Sequence, residues 1–255
     1  MTSFRPCIDL HEGRVKQIVG GTLSDKGQGL VTNFISDHPP RYFAELYKKD
    51  YLKGGHVIML GTGNEEAARD ALQAYPGGLQ VGGGISAESA QSWITAGASH
   101  VIVTSWIFQN NSLRMERLQA LKDTVGRKHL VLDLSCRKVG QGWNIAINRW
   151  QTITPVQLNP KTLDLFASYC DELLIHAADV EGKQAGMDET LIEFLSEYCS
   201  IPVTYAGGAR SVADLERCDA ISHGNVDLTI GSALDIFGGK GAQYADCVAY
   251  NRKHS

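Results

Sequence analysis

Two aspartates stand at the ends of similar apolar runs, Cys7-Ile-Asp-Leu-His-Glu-Gly-Arg-Val15 and Val131-Leu-Asp-Leu-Ser-Cys-Arg-Lys-Val139. An offset of 124 residues lays Asp9 on Asp133, Leu10 on Leu134 and Arg14 on Lys138. A pair of carboxyls, one protonated and one ionised, can take a proton from one atom of a substrate and give one to another. The same offset lays Gly83-Gly84 on Gly207-Gly208, and an offset of 127 lays Thr104-Ser105 on Gly231-Ser232. Glycine lets backbone N–H groups close on an anion, hydroxyls complete its coordination, and helix N-termini favour negative charge. Phosphate binding is therefore expected at Gly83, Gly84, Thr104 and Ser105 and again at Gly207, Gly208, Gly231 and Ser232. Two anion cradles around two carboxyls describe an elongated molecule with a phosphate at each end. Its reacting carbons lie in the middle, held in register by the remote groups.

These residues need a scaffold that brings distant segments to one face. Short, continuously apolar runs suit strands covered on both faces: Phe4–Leu10, His56–Leu60, Leu79–Val81, His100–Thr104, His129–Leu134, Glu172–Ala177, Val203–Ala206 and Asp227–Gly231. Helical stretches alternate with them: Arg41–Lys49, Glu65–Ala74, Ala87–Ala96, Ser112–Thr124, Pro160–Tyr169, Glu189–Tyr198, Ser211–Cys218 and Ala242–Tyr250. Ser86 and Asn159 supply N-cap chemistry. Eight such units predict an α/β fold, a (βα)8 TIM barrel with an internal (βα)4 repeat. The expected organisation is a single domain over residues 1–255, with half-barrels near 1–128 and 129–255. Asp9 and Asp133 then end opposite strands at the face where barrels carry their chemistry. Two long connections, Val19–Phe34 and Arg137–Thr154, follow the first and fifth strands and read as lids.

Composition narrows the classes. The chain has 255 residues, 43% hydrophobic and 20% charged, with a formal net charge of −4, so no basic face offers itself to nucleic acid or an anionic membrane. No run is apolar for the length of a membrane span, and the N-terminal residues lead straight into a strand pattern, so a cytoplasmic location is expected. The six cysteines form no C-x-x-C pair and the eight histidines no H-x-H or H-x-x-x-H arrangement, so neither a disulfide framework nor a metal site is expected. A monomer working on a small molecule is the expectation.

The chain also resembles the ProFAR isomerase family, the aldose–ketose isomerases of histidine biosynthesis. The resemblance is carried by the two aspartate segments, Gln80-Val-Gly-Gly-Gly-Ile, His176-Ala-Ala-Asp-Val-Glu-Gly, Tyr205-Ala-Gly-Gly-Ala and Asp227-Leu-Thr-Ile-Gly-Ser-Ala-Leu-Asp-Ile-Phe-Gly-Gly. In Val103-Thr-Ser-Trp and Leu174-Ile-His-Ala-Ala-Asp it is similar to fungal members. It implies an Amadori rearrangement of phosphoribosylformimino-aminoimidazole carboxamide ribotide, an aminoaldose, to its aminoketose, without a cofactor. It further implies Asp9 as the base and Asp133 as the acid; the residues by themselves leave that order open. Substrate-orienting contacts are expected from Gln17, Arg137, Trp143, Trp150, His176 and Asp179. The chain departs from bacterial members at Glu181-Gly182-Lys183, where they carry Asp-Gly-Thr, at Gln17, where an Arg is common, and in Val57-Ile-Met-Leu-Gly, where an Asp commonly ends strand two.

Two rivals share much of this pattern. The cyclase of imidazole-glycerol-phosphate synthase has the same two-aspartate layout, with a Lys where Gln17 stands and ammonia supplied by a glutaminase partner. A non-catalytic sugar-phosphate-binding barrel would keep the cradles and have no use for the aspartates.

Overall fold

The apolar runs pair side by side into one parallel sheet that closes on itself. In the computed structural model, which describes residues 1–18, 32–148, 150–180 and 186–253, the barrel strands are β1 (Phe4–Arg5 continuing as Cys7–His11), β2 (Gly55–Met59), β3 (Leu79–Gly82) and β4 (His100–Val103). The circuit continues through β5 (Leu130–Asp133), β6 (Glu172–His176), β7 (Val203–Ala206) and β8 (Val226–Thr229). Cys7 pairs with His56 on one side, and Phe4 pairs with Leu228 on the other, which joins β8 to β1. Proline has no N–H to give a ladder, so Pro6 splits β1. Its carbonyl still accepts from His56 N at 3.1 Å.

Helices α1 (Pro40–Lys49), α2 (Glu65–Ala74), α3 (Ala87–Thr95), α4 (Met115–Val125), α5 (Pro160–Ala167), α6 (Glu189–Tyr198), α7 (Val212–Ser222) and α8 (Tyr244–Lys253) cover the sheet. Each turns a stripe of apolar residues inward, as α1 does with Phe43, Ala44 and Tyr47 and α6 with Leu191, Ile192 and Leu195. The result is a (βα)8 barrel. Asn159 caps α5 as expected, its Oδ1 accepting from Thr162 N at 3.0 Å. Other helix ends shift from expectation for local reasons. α4 starts at Met115 rather than Ser112 because Phe108–Gln109 and Ser112–Leu113 form a tight hairpin, with Asn110 and Asn111 at φ 50° and 61°. α7 runs on to Ser222 and stops at His223, which is left-handed at φ 52°.

The connection after β5 has regular structure of its own. Cys136–Val139, Gly142–Ile147 and Thr152–Leu158 form a three-stranded antiparallel sheet. Trp143, Ile145 and Ile147 bury one face of it, and that burial orders the segment. After β1, Arg14–Ile18 and Thr32–Ile35 pair as a hairpin. Its glycine-rich tip falls outside the described residues, as does Glu181-Gly182-Lys183.

Two layers fill the barrel beneath its active face. Near the strand starts, Glu172 accepts from Gln80 Nε2 and Thr204 Oγ1, each at 2.7 Å, and Arg5 pairs with Asp227 at 2.7 Å. Above them Ile102, Val131, Leu174 and Ala206, with Ile58, form an apolar plug. The floor of the site is therefore apolar.

Candidate active site

A cavity of about 960 Å³ opens at the C-terminal ends of the strands. β1 and β5, four strands apart around the barrel, bring Asp9 and Asp133 into its wall. Their surroundings differ. Asp9 Oδ2 accepts from Gln17 Nε2 at 3.0 Å. Gln17 comes from the hairpin after β1, is buried, and packs where a Cβ on Gly231 would sit 3.1 Å from its Oε1. Asp133 meets three polar side chains. Its Oδ1 accepts from Ser135 Oγ at 2.9 Å and lies 3.1 Å from His176 Nδ1, and Thr104 Oγ1 reaches Oδ2 at 3.4 Å. The His176 and Asp133 side chains are 13% and 11% exposed, so their contact is well shielded from water. Next to His176, with ring centroids 6.2 Å apart, is His56. Burial, reinforced by His176, pushes His56 down to about 3, so it is neutral at ordinary pH.

All eight residues expected to bind phosphate line this cavity. Gly83, Gly84, Thr104 and Ser105 sit at the β3–β4 side, and Gly207, Gly208, Gly231 and Ser232 at the β7–β8 side. Two of the glycines also answer to packing. A Cβ on Gly83 would meet Met59 O at 2.2 Å, and one on Gly208 would meet Gly186 O at 2.1 Å. Gly84, at φ 68°, faces nothing within 4 Å, so its missing side chain leaves room in the pocket mouth. The Thr104 hydroxyl turns toward Asp133.

The orienting residues separate into two groups. Gln17, Trp150 and His176 line the cavity; Arg137, Trp143 and Asp179 do not. Trp143 packs on Phe194 at 5.6 Å and donates from Nε1 to Asp188 Oδ2 at 2.9 Å, which turns it toward α6. Arg137 Nε donates to Asp179 Oδ1 at 2.9 Å, and Asp179 Oδ2 takes Lys138 N at 2.8 Å, so this pair braces the three-stranded sheet. Cys136 is buried, and its thiol is pushed well up by that burial and by nearby carboxylates, so it is no thiolate nucleophile. Among the described residues no group of three or more His, Cys, Asp or Glu is placed to hold a metal, and no helix is long and apolar enough to cross a membrane.

Some wall residues escaped the motif reading. Ser135 follows Asp133 by two positions, and the period of a strand puts both on one face, a signal that was there to use. Arg69 of α2 lies with its guanidinium carbon 4.6 Å from the Trp93 ring centroid and lines the cavity beside Gly83 and Gly84, yet it belongs to no motif. Its contact with Trp93 of α3, 24 positions on, is what the sequence alone does not show.

The chain is similar to known proteins along nearly its whole length. The model of a family described as "Histidine biosynthesis protein" matches residues 4–240. A protein of Neurospora crassa is 55% identical over 99% of this chain and 100% of its own length, and one of Saccharomyces cerevisiae is 50% identical over 99% of each. Both are named 1-(5-phosphoribosyl)-5-((5-phosphoribosylamino)methylideneamino)imidazole-4-carboxamide isomerase. A Medicago truncatula relative of the same name, marked chloroplastic, is 52% identical over 98% of this chain and 82% of its own. With a family model spanning nearly the whole barrel and relatives matched end to end, this chain belongs to the histidine biosynthesis protein family.

Proposed function

We propose that the chain is the isomerase its relatives are named for, converting the bisphosphorylated aminoaldose to its aminoketose by an Amadori rearrangement. The observation that carries this reading is that two carboxyls from opposite strands share one cavity whose two sides are lined by the paired glycine and hydroxyl loops. The loops hold the phosphates, so binding energy from both ends fixes the sugar between the aspartates.

In this mechanism Asp133, whose Oδ1 lies 3.1 Å from His176 Nδ1, is the acid, and its proton goes to the ring oxygen as the ribosylamine opens. The substrate becomes a protonated Schiff base, which acts as the electron sink. Asp9, oriented by Gln17, removes the proton from C2, and the resulting enolamine tautomerises to the aminoketose. No electron leaves the substrate, so no redox partner enters. Trp150, whose ring centroid lies 6.1 Å from that of His176, offers an apolar wall to the central part of the ligand. The reading includes one domain made of two half-barrels, acting as a cytoplasmic monomer.

The test is conversion of the synthetic aminoaldose bisphosphate, followed by nuclear magnetic resonance in D2O. Ketose formation with a solvent-derived hydrogen supports the proposal; absence of turnover by the folded protein refutes it. Gln17 favours this reading over the cyclase, because the amide holds Asp9 where the cyclase carries a Lys. Formation of imidazole-glycerol phosphate from the ketose and ammonia would reverse that choice.

A further inference from the structure

We infer that Thr229 is a substrate-binding residue, its hydroxyl hydrogen-bonded to an oxygen of the sugar at the middle of the ligand. The inference rests on the isomerase reading for the identity of that sugar. Thr229 ends β8 and is only 7% exposed. Its Oγ1 is the one fully buried side-chain oxygen or nitrogen among the described residues without a hydrogen-bond partner. A buried hydroxyl left unpaired weakens a fold, and a valine of the same shape would avoid the loss.

Neighbouring hydroxyls do not share this condition. Thr204, on the adjacent strand, donates to Glu172 at 2.7 Å, Ser135 to Asp133 at 2.9 Å, and Thr104 to Asp133 at 3.4 Å. The fold thus satisfies its inward hydroxyls wherever it can, and Thr229 is the exception.

Position says what would satisfy it. His176 pairs with Ala206, and Ala206 with Thr229, so the three stand level on β6, β7 and β8, with the methyl of Ala206 leaving space between the larger two. A Cβ on Gly231 would point at Gln17 and at Cys7 Sγ, both in the cavity wall. Thr229 lies two residues earlier, so by the period of a strand it faces the same way, about 6–7 Å deeper. The rim at Gly231 and Ser232 is where a phosphate end belongs. One step deeper, level with the partner of Asp133, belongs the sugar that reacts. A threonine hydroxyl both donates and accepts, and a sugar oxygen suits it.

The experiment compares wild type, Thr229→Val and Thr229→Ser in thermal unfolding and in turnover of the aminoaldose bisphosphate. The valine variant is expected to unfold at the same temperature or higher while kcat/KM falls roughly 3- to 30-fold, the range of one hydrogen bond. The serine variant should stay within about 3-fold of wild type, since it keeps the hydroxyl. Unchanged kcat/KM in the valine variant overturns the inference. So does a lower unfolding temperature with both variants equally impaired, because the hydroxyl would then be serving the fold. If wild type itself fails to turn over, the isomerase reading falls, and the same bisphosphate is used in equilibrium binding. Weaker binding by the valine variant then sustains the role of Thr229, and equal affinity ends it.

Discussion

Asp9 and Asp133 differ in what surrounds them rather than in what they are. Under the proposed mechanism each does one half of a proton shuttle, so Asp9→Asn and Asp133→Asn should each lower kcat by roughly 10²- to 10⁴-fold. Affinity for the bisphosphate should change little, since the phosphate loops are untouched. Steady-state kinetics with a parallel binding measurement checks both. His56 leads to a separate expectation at the same scale. It is neutral in the folded chain down to about pH 3, whereas an unfolded histidine takes up a proton near 6.5. Above pH 6.5 neither state is protonated there, and stability is independent of pH at this site. Below it the unfolded chain binds a proton that the folded chain refuses, so stability falls toward pH 3 by up to about 1.4 kcal/mol per pH unit. Urea midpoints at pH 7.5 and 5 should therefore differ less in His56→Asn than in wild type.

At the scale of elements, the sheet after β5 is tied to α6 and β7 through Asp188. Asp188 joins three parts: its Oδ1 accepts from Leu191 N at 3.2 Å at the start of α6, its Oδ2 accepts from Trp143 Nε1, and its N–H donates to Tyr205 OH at 2.8 Å on β7. Trp143→Phe should cost about 1–3 kcal/mol by leaving a carboxylate oxygen short of a donor. KM should move little, and a many-fold rise in KM without loss of stability would instead make Trp143 a ligand contact. The glycine loops give a paired test. Gly83→Ala forces a methyl against Met59 O and should lower the unfolding temperature sharply. Gly84→Ala meets only the strain of φ 68°, about 1–2 kcal/mol, and its main effect should be on KM because the methyl enters the open mouth of the cavity.

For the whole molecule the vulnerable feature is the seam between β8 and β1. Thr2 N donates to Asp219 Oδ1 and Ser3 N to Asp227 Oδ1, each at 2.7 Å. Asn251 of α8 clasps Phe4 from both sides, Oδ1 accepting from its N at 2.8 Å and Nδ2 donating to its O at 3.0 Å. Asn251→Ala should cost about 1–3 kcal/mol by stranding both backbone groups at the closure. Urea unfolding should show a lower midpoint with the same slope, because the surface exposed on unfolding is unchanged.

The strands, most helices and the polar residues of the two loops were legible in the sequence because they depend on local order. Apolar runs of strand length, helical stripes, Asn159 before Pro160 and the spaced aspartates are properties of short stretches, and a barrel follows once eight of them alternate. What the tertiary structure decided was partnership. Trp143 and Trp150 lie in one connection, yet one packs on α6 and the other on the cavity, because folding of the strands turns their side chains to different neighbours. Arg137 and Asp179 pair with each other across 42 residues, and Asp133 finds His176 across 43. Whether Thr229 has a partner is likewise a fact of closure, since what surrounds a side chain inside a barrel comes from strands far apart in the chain. Periodicity encodes which way a residue faces, and only the closed barrel determines what it faces.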